Sequence, residues 1–306
     1  MLVVRDLVKV YPGPVAALQG INLEVPRGMF GLLGPNGAGK STFMRILAGL
    51  LEPTSGSVSL DGRDVLADPQ RMWSQLGYLP QEFGFYPHLT GEAMLAYLLK
   101  LKGVRSDGGT RALCADLLAK VNLTHAARQK VKGYSGGMRQ RLGIAQAIAG
   151  DPRVLIVDEP TAGLDPEERH RFYHLLAELA EDRTVLLSTH IVEDVAVLCP
   201  RFAVIRGGRL LALTSPGDAR AAIGGRIFEG TVPKGEVAQL RMGSCVTQAI
   251  LVEGKSRVRI YEPAGNAPAG FEPVPATLED AYLVMMRTHD AGAPAPTPAV
   301  PAGGAR

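Results

Sequence analysis

The sequence predicts an α/β fold, and three observations carry that expectation. The apolar run "MFGLL" (29–33) ends at a glycine, and Phe43, Ile46, Leu47 and Leu50 then recur at helical spacing. A buried strand, a glycine-rich loop and a helix therefore follow one another. Two further apolar runs, "RVLIVDEP" and "TVLLSTH", have strand length and flank the helical pattern "DPEERHRFYHLLAELAED". Alternation of strand and helix is the mark of a parallel sheet covered by helices.

The remaining elements are read around that core. "LVVRDLVKV", "INLEVP" and "GSVSLDG" have strand character, the last closed by the turn pair Asp61-Gly62. Residues 90 to 149 carry few strand signals. Met94, Tyr97, Leu98 and Leu101 form one helical stripe, "TRALCADLLAKV" a second, and Met138, Leu142, Ala145 and Ile148 a third. This stretch is expected to be a helical insertion. After "VLIVDEP", Asp165 is the expected helix cap, Pro166 the first helical residue and Glu168 the partner that completes a capping box. "RFAVIRGGRLLAL" reads as a hairpin turning on Gly207-Gly208.

A different module is expected from about residue 215 to 289. "CVTQAILVEGKSRVRIYE" suggests two strands around Glu253-Gly254-Lys255, and "ATLEDAYLVMMR" a closing helix capped by Thr277. The last stretch, 290–306, is alanine, proline and glycine with little to bury and is expected to be disordered.

Composition narrows the function classes. The 306 residues are 46% hydrophobic and 21% charged, enough for a sizeable core. A net charge of +3 with scattered basic residues argues against nucleic acid as the main partner. Cys114, Cys199 and Cys245 show neither metal nor disulfide spacing and read as free thiols in a reducing compartment. No apolar run approaches the roughly 18 residues of a membrane span. The start, "MLVVRDLVKV", does not read as a signal peptide. The expectation is a cytosolic chain that acts on a membrane only through another protein.

The strongest chemical signal is "GPNGAGKST": Gly34, Pro35, Asn36, Gly37, Ala38, Gly39, Lys40, Ser41 and Thr42. Its glycines let backbone N–H groups turn inward around phosphate oxygens. Lys40 supplies a point charge for the β- and γ-phosphates, and the Ser41 hydroxyl can ligate Mg²⁺. In "VLIVDEP" the four apolar residues are explained by a buried strand. The consecutive acids are not, because the C-terminal ends of strands are where open α/β sheets bind ligands. Asp158 fits a Mg²⁺ partner, through water, and Glu159 a general base. His190 closes "LLSTH" at another strand end, within reach of a γ-phosphate, and Gln81 in "GYLPQEF" could offer its amide oxygen to Mg²⁺ or the attacking water. A second anion-binding pattern lies in "KGYSGGMRQ", where Ser135, Gly136 and Gly137 precede a helical segment.

The ordered set "GPNGAGKST", "LPQ", "YSGGM", "VLIVDEP", "GLD" and "STH" resembles the nucleotide-binding subunit of an ABC (ATP-binding cassette) transporter over residues 2 to 214. The resemblance implies a P-loop NTPase cassette: a RecA-like parallel sheet core with an antiparallel β subdomain and a helical subdomain at about 83–150. A small α+β C-terminal module follows. ATP and Mg²⁺ are the implied ligands. By the same resemblance Tyr11 stacks on adenine, Gln81 senses Mg²⁺, His190 is the switch histidine, and Asp165 communicates across a dimer or serves as the helix cap. Two cassettes pack head to tail in this family, so Ser135, Gly136 and Gly137 are expected to read the partner's γ-phosphate. Tyr134 stands where the family usually has leucine, and Met138 where it has glutamine. The serine and both glycines are spared.

The implied activity is ATP hydrolysis coupled to transport, with export suggested by "YSGGM", by way of a separate membrane permease. Phe83, Phe85 and Tyr86 either pack beneath the helical insertion or line a groove for that permease. The rival reading is a soluble ABC-type ATPase acting in translation or DNA maintenance. Those chains generally carry two cassettes, a long coiled coil or zinc-type cysteines, which are absent here. A P-loop kinase or GTPase would lack the signature, Glu159 and His190.

Overall fold

The computed structural model describes residues 1–13, 15–65, 67, 74–82 and 84–290. Of the expected disordered tail at 290–306, Asp290 is helical, ending the helix Leu278–Asp290, and residues 291–306 lie outside the described residues, as does Phe83. The chain divides into two compact units: Met1–His190 with Gly207–Arg209, and Ile191–Arg206 with the described residues from Leu210 onward.

In the first unit, β1 (Leu2–Tyr11), β2 (Val15–Val25), β4 (Ser55–Leu60) and β5 (Arg63–Asp64) form an antiparallel sheet in the order β2-β1-β4-β5. Leu2, Val4, Leu7, Leu18, Val25 and Val58 are fully buried on it. The turn between β4 and β5 is Asp61-Gly62, both with positive φ (50° and 78°), as the residue pair requires.

The parallel strands of this unit are β3 (Gly28–Leu33), β6 (Leu76–Leu79), β7 (Val154–Asp158) and β8 (Thr184–Thr189), in the order β3-β8-β7-β6. Every residue of β7 and β8 is buried, which is why both read as unbroken runs rather than alternating ones. Register decides what this sheet can do. Leu33 lies opposite Thr189, and Asp158 opposite Ser188. The chain therefore leaves β3, β7 and β8 at one edge, and releases there the glycine-rich loop, Glu159 and His190.

Helix Lys40–Leu47 follows the loop. It stops short of Leu50, which is 58% exposed beyond Gly49 (φ 68°). Residues 91–148 hold helices Gly91–Leu101, Gly109–Lys120 and Gly136–Ile148 with two 3₁₀ turns. The first of these is a helix as expected, but its buried face differs from the expected stripe. Met94, Leu95 and Leu99 are buried, whereas Tyr97 and Leu101 are exposed. Met94 belongs to both candidate faces, so spacing alone did not choose between them.

In helix Pro166–Asp182, Asp165 caps the N-terminus by accepting from the Glu168 amide at 2.9 Å, with Pro166 at the first helical position. The reciprocal half of the expected capping box does not form. The Glu168 carboxylate is bonded instead to Arg141 and Arg171.

The second unit contains the hairpin β9 (Arg201–Arg206) and β10 (Arg209–Thr214), whose tip, Gly207–Arg209, belongs to the first unit. It also has a four-stranded antiparallel sheet, ordered β12 (Cys245–Val252), β13 (Lys255–Tyr261), β11 (Ile227–Pro233) and β14 (Phe271–Pro273). The expected pair turning at Glu253-Gly254 is β12–β13. β11 and β14 were not apparent in the sequence. Phe228, Val246, Val258 and Ile260 form the core of this sheet. Helix Leu278–Asp290 is capped by Thr277, whose hydroxyl accepts from the Asp280 amide at 3.1 Å. Asp280 is 2% exposed and accepts from Thr247, Thr277 and Arg259. No helix among the described residues is long and apolar enough to cross a membrane. The three cysteines are free.

Candidate functional site

The site is built on the strand edge of the first unit. The loop 34–39 turns from β3 into helix Lys40–Leu47, with Gly37 and Gly39 at φ 78° and 104°. Gly39 is the N-cap, and no side chain caps the helix, so its first amides face the loop concavity. A cavity of about 360 Å³ opens there, lined by β2 residues Val15–Ala17, by Asn36, Gly37 and Gly39 to Thr42, by Gln81 and Glu159, and by Gly207-Gly208.

Its charged centre is Glu159, only 6% exposed. Glu159 Oε1 lies 3.0 Å from Lys40 Nζ. Its Oε2 lies 3.0 Å from His190 Nδ1 and 3.4 Å from Gln81 Nε2, which donates to it. Lys40 also donates to the carbonyls of Gly34 (2.8 Å) and Pro35 (3.1 Å). A buried carboxylate beside a buried ammonium is held by this pairing, since either alone would face a large desolvation cost.

Backbone strain adds to the arrangement. Glu159 has φ 48°, in the left-handed region that a non-glycine residue adopts at a cost of about 1–3 kcal/mol. Its amide donates to Ser188 O at 2.9 Å, which holds the residue there. Asp158, one residue earlier and 2% exposed, accepts from the Ser188 hydroxyl at 2.5 Å. One neighbour on β8 thus orients both acids. Asp158, the Ser41 hydroxyl and the Gln81 amide oxygen are hard oxygen donors. That set fits Mg²⁺, which takes one or two carboxylates and completes its shell with phosphate and water.

Tyr11 ends β1 with its hydroxyl 3.4 Å from Thr42 Oγ1, and the Lys9 ammonium lies 5.4 Å from its ring centroid. The tyrosine therefore stands beside Thr42 at the end of the loop. The signature residues do not. Ser135, Gly136 and Gly137 start helix Gly136–Ile148, where the Ser135 hydroxyl accepts from the Met138 amide at 3.1 Å. Among the described residues lining the cavity none comes from the signature. Asp165 is likewise outside it, at the start of its own helix.

The unusual Tyr134 has a local explanation. It is buried, and its hydroxyl donates to Ala126 O at 2.8 Å. A Cβ at Gly91 would fall 1.9 Å from that hydroxyl, so the tyrosine fits because residue 91 has no side chain.

Sequence reading missed two contributors to the site and one residue outside it that holds the signature helix. Ser188 sits in "LLSTH" with no signal of its role. The pair Gly207-Gly208 was recognised as a turn but not as a cavity wall. The Gly208 amide donates to Ala38 O at 3.0 Å, and its carbonyl accepts from the Gln19 amide at 2.8 Å. Arg141 carried no signal beyond being basic, although it is 7% exposed and fully engaged.

Comparison with known proteins agrees with this geometry. Residues 18–162 match the ABC transporter family, a span that contains the phosphate loop, Gln81, the signature and both acids. The chain is 36% identical to ABC transporter A family member 7 of Arabidopsis thaliana over 232 residues. That is 73% of this chain but 25% of the relative, so the chain spans about a quarter of that protein. It is 35% identical to the Linearmycin resistance ATP-binding protein LnrL of Bacillus subtilis (strain 168), covering 74% of this chain and 72% of the relative. Among solved structures, the dimeric bacterial ABC transporter cassette MJ0796 superposes with a TM-score of 0.64 at 27% identity, covering 70% of this chain and 98% of that one. The same cassette is known in a post-hydrolysis state bound to ADP and Pi, again with a TM-score of 0.64. On the phosphate loop, the two strand-end acids and these relatives, the chain belongs to the ABC transporter family as an ATP-binding cassette.

Proposed function

We propose that this chain binds and hydrolyses ATP and couples the reaction to substrate export by a separate membrane permease. The observation that carries the reading is the convergence of Lys40, His190 and Gln81 on the buried Glu159 carboxylate beside the phosphate loop. Residues 1–214 are the cassette, with the helical subdomain at 83–150, and 215–289 are an accessory module.

The loop amides and Lys40 hold the ATP phosphates, and Tyr11 stacks on adenine. Ser41, Gln81 and Asp158 hold Mg²⁺, which when bound neutralises charge on the β- and γ-phosphate oxygens. Glu159 accepts the proton of the attacking water, and His190 steadies the γ-phosphate side. Ser135, Gly136 and Gly137 act in trans on the ATP of a second cassette, with Asp165 at the contact between the two. Their position away from the cavity supports this, because one chain then cannot surround the γ-phosphate alone. Dimer closure on ATP and opening after hydrolysis drive the permease. The chain sits on the cytoplasmic face of the membrane through that permease. The resistance function in LnrL's name supports export over import.

The test is ATP hydrolysis by the purified chain together with a mild-detergent pull-down from native membranes. Hydrolysis with a near-stoichiometric polytopic partner is expected. Ribosomal or DNA-bound partners without a membrane protein would leave the ATPase standing and overturn transport.

A further inference from the structure

The signature segment and the segment after Glu159 are locked to one another inside the chain. Arg141 lies one helical turn beyond Gly137, and its buried guanidinium reaches in three directions. Nε donates to Gly137 O (3.4 Å), Nη1 to Asn122 O (3.2 Å) and Nη2 to the Glu168 carboxylate (3.1 Å). The Arg141 and Glu168 side chains are 8% and 16% exposed, so this pair is largely shielded from solvent. Glu168 is also the residue whose amide is capped by Asp165.

Packing makes the same connection without charge. A Cβ at Gly137 would fall 2.1 Å from Glu168 Oε2, and one at Gly136 would lie 3.7 Å from Leu164 Cδ2. Two consecutive signature glycines therefore abut two residues that flank Asp165. The Glu168 carboxylate occupies the space that a side chain at Gly137 would need.

From these contacts we infer that Arg141 and Glu168 are positioning residues, which set the angle of Ser135–Gly137 relative to Asp165. The inference rests on the proposal that the signature serves a partner's ATP. Its content is that the two segments reaching the second cassette move as one body. Neither Arg141 nor Glu168 lines the nucleotide cavity of its own chain. Loss of the pair therefore leaves ATP binding by the phosphate loop intact and disturbs only the surface offered to the partner.

The experiment places Arg141→Met or Glu168→Gln in a Glu159→Gln chain, where hydrolysis is blocked. Affinity for a fluorescent ATP analogue is read at low protein concentration, and ATP-dependent dimerisation by sedimentation. Both variants are expected to hold the analogue as the parent does and to dimerise about tenfold more weakly. The swap Arg141→Glu with Glu168→Arg is expected to recover part of the loss. Glu168→Gln keeps size and shape, so it reports even if Arg141→Met fails to fold. Parent-like dimerisation of Glu168→Gln, or equal loss of analogue binding and dimerisation, would overturn the assignment. A parent that binds ATP but never dimerises would instead overturn the trans reading on which the assignment stands.

Discussion

Lys40 Nζ lies 3.0 Å from Glu159 Oε1, so the cation proposed to receive phosphate and the acid proposed to activate water are paired with each other. Both side chains are almost fully buried, at 4% and 7% exposure. Phosphate oxygens entering the loop compete with Glu159 for the same ammonium. Under the proposed function, binding of ATP is thereby linked to release of the carboxylate, whose Oε2 lies 3.0 Å from His190 Nδ1 in the ligand-free chain.

Glu159→Gln keeps the side-chain shape but cannot accept a proton. ATP binding is expected to persist, while phosphate release falls about 10²–10⁴-fold. Turnover near that of the unaltered chain would remove Glu159 from the role of base.

Lys40→Ala removes the charge-assisted contact to phosphate and leaves Glu159 with His190 and Gln81 as partners. ATP affinity is expected to fall by about 10- to 100-fold, by equilibrium titration. An unchanged affinity would mean that the loop amides alone hold the nucleotide.

Gly208→Ala tests the wall contributed by the hairpin tip. Gly208 has φ 76°, and an added Cβ would meet Ala17 O at 2.6 Å. Thermal unfolding should show a loss of about 1–3 kcal/mol, with weaker ATP binding because the cavity wall shifts. A variant as stable and as tight-binding as the parent would show that the turn yields freely.

Gly91 and Tyr134 should behave as a coupled pair. Gly91→Ala crowds the Tyr134 hydroxyl, and Tyr134→Leu removes that buried hydroxyl and its bond to Ala126 O, which keeps only the Gln129 amide as donor. Each single change is expected to cost about 1–3 kcal/mol. The double change should cost less than the sum, with a coupling of about 0.5–3 kcal/mol in denaturant unfolding. Simple additivity would show that the two sites relax independently.

Asp280 gives the second unit a pH dependence. Burial pushes its carboxyl upward, but hydrogen bonds from Arg259, Thr247 and Thr277 outweigh that and hold it below the usual carboxylate range. The unfolded chain therefore takes up this proton first as pH falls. The stabilisation is fully present above about pH 4 and is lost as pH drops through the lower folded value. Asp280→Asn is expected to unfold more easily than the parent at neutral pH, with the gap narrowing in acid. A gap constant from pH 7 to 3 would assign the effect to packing.

Much of the site was legible because its residue types are constrained by local chemistry. A loop that presents consecutive amides needs glycines, so "GPNGAGKST" announces itself. β7 and β8 read as unbroken apolar runs because both faces are covered. The helix Gly91–Leu101 was legible as a helix, but its buried face was not. Leu101 is as apolar as Leu95 and Leu99, and Tyr97 has a large apolar ring, so only the neighbouring helices decide which side faces inward. Glu168 was read as a local cap partner because it lies three residues after Asp165. A long-range pairing with Arg141 prevailed, and nothing in the spacing of residues 141 and 168 could signal it.

Sequence alone determined the α/β class, the phosphate loop, the acids at the end of β7 and the identity of the signature. Each depends on residue types within a few positions of one another, where backbone geometry is dictated locally. Tertiary structure decided what those residues do together. Parallel register brought Gly34, Glu159 and His190 to one edge, left the signature outside the cavity, and joined Arg141 to Glu168. Contacts between residues distant in the chain are set by packing of whole elements, and no local pattern encodes which partner each buried charge will meet.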